Sequence, residues 1–195
     1  MKKSLVLFCL STLFLFSCAA GSYTPPSVSE EPIVNSIVIE KPYDVVWAKL
    51  ITQLATTYFG IENYEKQSGL ITLSFGASNP SNFITGGSVR VSNIAAKYEG
   101  DYIGYLCKYS DADFKAKMNI VVTSLSDNQT KVTINARYVF TSYVKETNER
   151  NTWSFNTNGY DKIEPRRSLD SNNIFRIVKP THRAEKDLLD SLVGF

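Results

Sequence analysis

Two long runs of alternating apolar and polar residues constrain the fold of this chain more than any other feature of its sequence. Every second residue is apolar in 114–122 and again in 132–140, and the polar residues 126–129 lie between the two runs. A period of two residues is typical of a strand with one buried face and one solvated face. We therefore predict a long antiparallel hairpin over these residues.

Two other segments have the spacing of amphipathic helices. Val46, Leu50 and Leu54 recur at every fourth position, and Gly60 follows where a helix could end. This pattern predicts a helix of about four turns. The chain closes on a second, shorter pattern over 181–193, for which Thr181 is the predicted N-cap.

Shorter strands are predicted over 36–40, 61–66 and 70–75, the last two joined by a turn that contains glycine. The tyrosine-rich segment 94–109 also predicts a strand. Polar and glycine-rich composition predicts a long loop over 76–93, and turn-rich structure over 145–180.

This order of elements predicts the fold class. Residues 35–195 are expected to form a single α+β domain of two layers, because helices with apolar stripes need a sheet face to cover. An antiparallel β-sheet would pack against a long N-terminal-side helix and a short C-terminal helix.

The N-terminus has the organisation of an export signal. Lys2 and Lys3 precede an apolar run over residues 5–16, which is shorter than the roughly 20 residues of a membrane-spanning helix. Basic residues before such a run and small residues after it favour a cleaved signal over residues 1–17.

Residues 15–18 (Leu-Phe-Ser-Cys) resemble the lipobox of bacterial lipoproteins. The resemblance implies that Cys18 receives a diacylglycerol on its sulfur, that cleavage occurs before it, and that its new amine is acylated, typically with palmitate. Ala19 in the next position implies transfer to the outer membrane. The domain is expected to face the periplasm, and the cell surface is left open as the alternative. The alternative is a secreted protein in which the cysteine is incidental.

Processing would change the charge and the cysteine content. The precursor has 21 basic and 19 acidic residues, and loss of Lys2 and Lys3 would leave 19 of each. A neutral chain without a basic stripe gives no indication of nucleic-acid binding. Cys107 would be the only free thiol, so no intramolecular disulfide is expected. Residues 18–34, with their prolines and serines, are predicted to be a flexible tether between lipid and domain.

Two stretches, 39–47 and 68–71, resemble the helix-grip domains of envelope lipoproteins, and the nearest family is the BamC-like group of the outer-membrane β-barrel assembly machinery. Residues 185–192 are similar to the final helix of related small lipoproteins. The resemblance implies a helix-grip fold and a role in the cell envelope. START-like ligand-binding domains share this order of elements and would imply a cavity beneath the last helix.

Five large apolar residues lie in segments predicted to be turn-rich, where such residues are less expected. They are Phe83, Ile84, Trp153, Phe155 and Tyr160. Either they fold back as lids over the core, or they form a contact surface for a partner or an apolar ligand, because aromatic anchors supply much of the energy at such sites.

Reactive residues are few. His182 is the only histidine, and it is predicted to be a solvated surface residue. Cys107 is expected to be an inert thiol in a strand, although neighbouring Lys108 could lower its pKa. No catalytic constellation, metal site or cofactor motif is found.

These observations favour a non-enzymatic, lipid-anchored periplasmic binding or scaffold lipoprotein that engages an envelope protein. The alternative is a carrier or sensor of a small apolar ligand, such as a lipid, in a START-like cavity. The oligomeric state is left open.

Overall fold

The computed structural model describes residues 20–28, 33–92, 97–145, 148–163 and 175–194. Its strands are β1 (Ala20–Thr24), β2 (Ser36–Ile39), β3 (Gly60–Glu65), β4 (Leu70–Gly76), β5 (Ile84–Thr85), β6 (Ser88–Ser92), β7 (Lys97–Asp101), β8 (Asp111–Ser126), β9 (Gln129–Val144), β10 (Glu149–Asn156), β11 (Asp161–Ile163) and β12 (Arg176–Pro180). Its helices are α1 (Tyr43–Leu54), α2 (Tyr102–Tyr109) and α3 (Arg183–Leu192), with a 3-10 turn at Pro80–Asn82.

The long hairpin β8–β9 is the centre of a six-stranded antiparallel sheet. The strand order is β10-β9-β8-β4-β3, and β2 pairs with the N-terminal part of β9. β8 and β9 have 16 residues each and pair from Asp111 opposite Tyr143 to Ser126 opposite Gln129. This confirms the hairpin predicted from the alternating runs. The β3–β4 hairpin, with Glu65 opposite Leu70, is also confirmed.

The fold also contains two smaller antiparallel sheets besides the six-stranded sheet. One has the order β1-β6-β7, and the other has the order β11-β12-β5. Their strands are short, and all but β7 fall in segments predicted to be tether, loop or turn-rich. Those predictions were wrong for β1, β5, β6, β11 and β12, and also for β10 of the six-stranded sheet, because strands of two to eight residues are too short to carry a clear periodic signal.

Alternate residues of the long hairpin face the core and are fully buried, as Met118, Ile120 and Ile134 illustrate. Leu50 of α1 and Leu188 of α3 belong to the same apolar cluster. Burying each such side chain contributes about 1.5–3 kcal/mol. Packing of the helices onto this hairpin therefore supplies much of the core.

The predicted fold class, a two-layer α+β domain with a long helix on a sheet, is wrong. The described part of the chain is 53% strand and 22% helix, arranged as three antiparallel sheets and three short helices. α1 has only 12 residues and ends at Leu54. The hydroxyls of Thr56 and Thr57 then donate to the carbonyls of Gln53 and Leu54, which caps the helix one turn before Gly60.

The predicted strand 94–109 is also wrong for its second half, which is helix α2. Asp101 is the N-cap residue, and its carboxylate accepts a hydrogen bond of 2.8 Å from the backbone N–H of Ile103. Tyr102, Tyr105 and Tyr109 are spaced by three and four residues, which is the period of a helix rather than of a strand.

Candidate functional site

Four of the five predicted contact residues belong to the core. Phe83, Ile84, Trp153 and Phe155 have exposed fractions of 9%, 0%, 0% and 5%. Phe83, for example, stacks on Phe114 with ring centroids 6.0 Å apart. These four therefore act as lids over the hydrophobic core, and of the five only Tyr160, which is 48% exposed, is available to a partner.

Cys107 lies on helix α2 and is half-buried, not in a strand as predicted. Burial raises the pKa of its thiol, and the charge of Asp101 raises it further. The ammonium of Lys108, which was considered as a group that could lower this pKa, lies over the rings of Tyr98 and Tyr109. A raised pKa disfavours the thiolate and hence nucleophilic reactivity.

His182, predicted to be a solvated residue, is partly buried. It is the N-cap residue of α3 in the left-handed conformation, with φ of 63°. Thr181, the predicted N-cap, instead donates its hydroxyl to the carbonyl of Asn82. Burial lowers the pKa of the His182 ring, and its buried Nδ1 has no hydrogen-bond partner among the described residues.

A polar cluster that was not predicted from the sequence is buried between α3 and the six-stranded sheet. The carboxylate of Glu185, which is 1% exposed, accepts hydrogen bonds from the hydroxyls of Tyr138 (2.6 Å) and Thr157 (3.0 Å). Thr157 is itself bonded to the backbone of Ala136. The signal that could have revealed this cluster is the position of Glu185 on the apolar face of α3, one turn before Leu188 and Leu189.

The N-terminal strand β1 is part of the fold, although it falls within the predicted tether. β1 pairs with β6 from Ala20 opposite Ser92 to Thr24 opposite Ser88. The Tyr23 side chain anchors this strand and is only 7% exposed. A flexible tether would have neither strand pairing nor a buried side chain.

Contacts from two distant parts of the chain, helix α2 and strand β12, hold Tyr23 in place. Its ring meets that of Tyr102 edge to face at 5.5 Å. The Arg176 guanidinium lies 4.1 Å from the centre of the same ring, a cation–π contact. The Tyr23 hydroxyl accepts a hydrogen bond of 3.1 Å from the Ile177 N–H. None of these partners is close to Tyr23 in sequence.

Glycine is required where the chain leaves β1. Gly87 has a positive φ of 79°, and a Cβ there would overlap the carbonyl oxygen of Thr24 and the backbone of Pro25 and Pro26. Further along, Lys179 donates to the carbonyl of Ser27. Residues 20–27 therefore lie directly against the domain.

This arrangement determines what a lipid at the N-terminus would do. The predicted export signal 1–17 and the predicted lipidation site Cys18 lie outside the described residues. Cys18 is two positions before Ala20, the first residue of β1. Two extended residues span at most about 7 Å. An anchor on Cys18 would therefore hold the end of the β1-β6-β7 sheet close to the membrane.

Helix α2 runs back along the β1-β6-β7 sheet towards the end that contains Ala20. It begins next to Asp101, opposite Ser88, and it ends where the Tyr109 hydroxyl donates a hydrogen bond of 3.3 Å to the carbonyl of Lys97. Lys97 is opposite Ser92, which is itself opposite Ala20. The C-terminal end of α2 and the first residue of β1 thus lie at one end of the sheet.

Tyrosines and lysines cover this end, and we call it the anchor-end surface. It comprises Lys97, Tyr98, Tyr105, Lys108 and Tyr109. The Tyr105 ring lies 5.5 Å from that of Tyr98 and 5.0 Å from that of Tyr109. Burial raises the pKa of Tyr98 and Tyr105, so both phenols stay protonated and uncharged at neutral pH.

Neither a metal cluster nor a membrane-spanning helix is found in the described residues. No group of three or more His, Cys, Asp or Glu side chains there could hold a metal ion. Within those same ranges, no helix is long and apolar enough to cross a bilayer.

Comparison of the chain with protein-family models, curated proteins and solved structures found no match. The resemblance to the BamC-like group therefore stays a prediction.

Proposed function

We propose that this protein is a non-enzymatic, lipid-anchored binding or scaffold lipoprotein of the cell envelope. Cys18 attaches it to the outer membrane, and the domain engages an envelope protein in the periplasm. The observation that carries the proposal is the docking of β1, which begins two residues after Cys18 and is held against the domain by Tyr23.

The position of β1 supports a scaffold role because it limits the freedom of the domain. A long tether would let the domain reach partners over a wide radius. Here the pairing of β1 with β6 keeps the β1-β6-β7 sheet beside the lipid on Cys18. Strands β8 and β9 have 16 residues each, so the turn between them lies on the order of 50 Å from the opposite end of the hairpin.

Exposed aromatic side chains that are not part of the anchor-end surface are candidates for partner contact. Tyr160, which precedes β11, is 48% exposed, and Tyr64 on the sheet-edge strand β3 is 59% exposed. Aromatic residues supply a large share of the energy of protein interfaces. We therefore assign partner binding to these positions rather than to the four buried residues.

Anchoring is tested with the full-length chain expressed in a diderm bacterium. The wild type should fractionate with the outer membrane, and its N-terminal peptide should have the mass of a triacylated Cys18. Cys18→Ser should remain uncleaved and lack the acyl mass, because serine cannot form the thioether. Processing and acylation of Cys18→Ser to wild-type levels would refute the lipoprotein proposal.

Partner binding is tested by placing a photocrosslinking amino acid at Tyr160 or Tyr64 in native membranes. A crosslinker at Thr123, on the exposed face of β8, is the matched control. A reproducible envelope protein should be captured at Tyr160 or Tyr64 and not at Thr123. If neither tyrosine position captured a reproducible partner, the scaffold proposal would be rejected, whether or not Cys18 is lipidated.

A further inference from the structure

We propose that the anchor-end surface lies on the bilayer and binds the anionic phosphate headgroups of the membrane to which Cys18 is attached. This inference rests on the lipidation of Cys18 in the proposed function. It adds that the domain is held in one orientation by direct contact between its side chains and phospholipid headgroups.

The first argument is distance. Ala20, Ser92 and Lys97 are opposite one another on three neighbouring strands. Adjacent strands lie about 4.8 Å apart, so the backbones of Ala20 and Lys97 are separated by roughly 10 Å. The two residue steps from Cys18 to Ala20, the first residue of β1, add at most about 7 Å. A spacer this short leaves little room for a layer of water between the surface and the headgroups.

The second argument is charge. In the middle of the same sheet Arg90 pairs with Glu99 at 3.1 Å, and just after α2 Asp111 pairs with Lys145 at 2.9 Å. Lys97 and Lys108 are exposed, and within the described ranges neither has a carboxylate partner. Two unneutralised cations beside the anchor are complementary to anionic lipid, and each lysine near such a surface favours contact by about fivefold.

The third argument is the tyrosines. Tyr98, Tyr105 and Tyr109 are each partly exposed and contact one another through their rings. Tyrosine is enriched where membrane meets water, because its ring is apolar and its hydroxyl is polar. The Tyr109 and Tyr98 hydroxyls donate to backbone carbonyls. The Tyr105 hydroxyl has no partner in the described residues, so it is available to a lipid oxygen.

Lys108 combines the unneutralised positive charge with contact to the tyrosine rings. Its ammonium lies 5.2 Å from the centre of the Tyr109 ring and 5.9 Å from that of Tyr98. Contact with the negative faces of these rings holds the ammonium at the surface without neutralising its charge. The lysine is therefore positioned to meet a phosphate before binding occurs.

The test uses the full-length lipidated protein purified from membranes. In a Cys107→Ser background, a single cysteine at Ser92→Cys carries a nitrobenzoxadiazole fluorophore at the anchor end, and Asp127→Cys carries it at the opposite turn. The protein is reconstituted into vesicles of phosphatidylethanolamine and phosphatidylglycerol in a ratio of about 3:1, the mixture that supplies the anionic surface. Lipids with a spin label at the headgroup quench a fluorophore that is in contact with them.

We expect strong quenching at Ser92→Cys and little at Asp127→Cys. Lys97→Glu with Lys108→Glu should shift the contact equilibrium at Ser92→Cys towards release by roughly 25-fold or more, because two contributions of about fivefold are lost. Lys41→Glu with Lys186→Glu changes the charge equally on exposed residues elsewhere and should leave quenching unaltered. With the original lysines in place, vesicles of phosphatidylcholine alone, which carry no net charge, should give the same loss of quenching at Ser92→Cys as Lys97→Glu with Lys108→Glu.

The outcomes separate this inference from the anchor itself. Flotation with vesicles and the mass of the N-terminal peptide report whether the chain is lipidated. A chain that floats but shows an unquenched probe at Ser92→Cys overturns the inference and leaves the anchor intact. Equal quenching in the two charge-reversal pairs would also overturn it. An unacylated chain would instead remove the proposed function on which the inference rests.

Discussion

The Tyr138 hydroxyl donates a hydrogen bond of 2.6 Å to the Glu185 carboxylate in the core, joining β9 to α3. The two side chains are 0% and 1% exposed. Burial and the adjacent carboxylate both raise the pKa of Tyr138, so the phenol remains a hydrogen-bond donor. A buried carboxylate is unfavourable unless donors satisfy it, and here Tyr138 and Thr157 do so.

This pair predicts strong coupling in a double-mutant cycle. Tyr138→Phe should lower the free energy of unfolding by about 1–3 kcal/mol, because the buried carboxylate of Glu185 loses a donor. In combination with Glu185→Gln the loss should be smaller than the sum of the single losses, and chemical denaturation measures each value. Tyr143→Phe, which removes an exposed hydrogen bond to Asn148, is the matched control and should change stability by no more than about 0.5 kcal/mol. Additive losses for Tyr138 and Glu185 would contradict the contact.

Removal of the Tyr23 ring should release β1. Tyr23→Ala deletes the contacts with Tyr102 and Arg176, and we expect a loss of about 3 kcal/mol. Hydrogen exchange should show that amides of β1 and β6 lose protection while those of the β8–β9 hairpin keep it. Tyr64→Ala, at an exposed site, is the control. If β1 kept its protection in Tyr23→Ala, Tyr23 would not be the anchor of this strand.

Gly87 offers a steric test of the same docking. Gly87→Ala should cost about 2–4 kcal/mol, because its φ is positive and the new Cβ would meet the backbone of 24–26. Gly194 has a φ of 98° with nothing within 4 Å of its Cβ position, so Gly194→Ala isolates the cost of the backbone conformation. That cost should be about 1 kcal/mol. Equal losses at the two glycines, measured by denaturation, would mean that the close approach to β1 contributes nothing.

His182 predicts a dependence of stability on pH. Burial lowers the pKa of its ring below the usual value of about 6.5 that applies in the unfolded chain. On acidification the unfolded state therefore binds the proton first, and the free energy of unfolding should fall as pH drops below about 7. His182→Asn keeps a residue that tolerates the left-handed conformation. Its unfolding free energy should vary less between pH 7 and 5 than that of the wild type, and an unchanged slope would exclude His182 as the cause.

Periodicity in the sequence was informative where structure is local. The alternation in 114–122 and 132–140 identified the hairpin, because every second side chain in each strand enters the same core. The strand predicted over 94–109 rested on its tyrosine-rich composition and ignored the spacing of Tyr102, Tyr105 and Tyr109, whose intervals of three and four are helical. Their position after Asp101, an effective N-cap residue, was the signal available in the sequence.

The candidate site was less predictable, because its contacts join distant residues. The sequence pointed to Phe83, Ile84, Trp153 and Phe155 as contacts or as lids, and only their burial distinguishes the two. In a chain with 21 basic residues, the sequence does not identify Lys97 or Lys108 as a membrane contact. Their position beside β1 became apparent only from the pairing of β1, β6 and β7.

The sequence by itself determined the long hairpin, the β3–β4 hairpin and the existence of the first and last helices, because periodicity over neighbouring residues reports which side of an element is buried. The sequence also supplied the prediction of a lipid anchor at Cys18. Only the tertiary structure decided that Ala20–Thr24 is a strand rather than a tether. The reason is physical: β1 is stabilised by pairing with β6 and by Tyr23 contacts with Arg176 and Ile177, and no local pattern encodes partners so far along the chain.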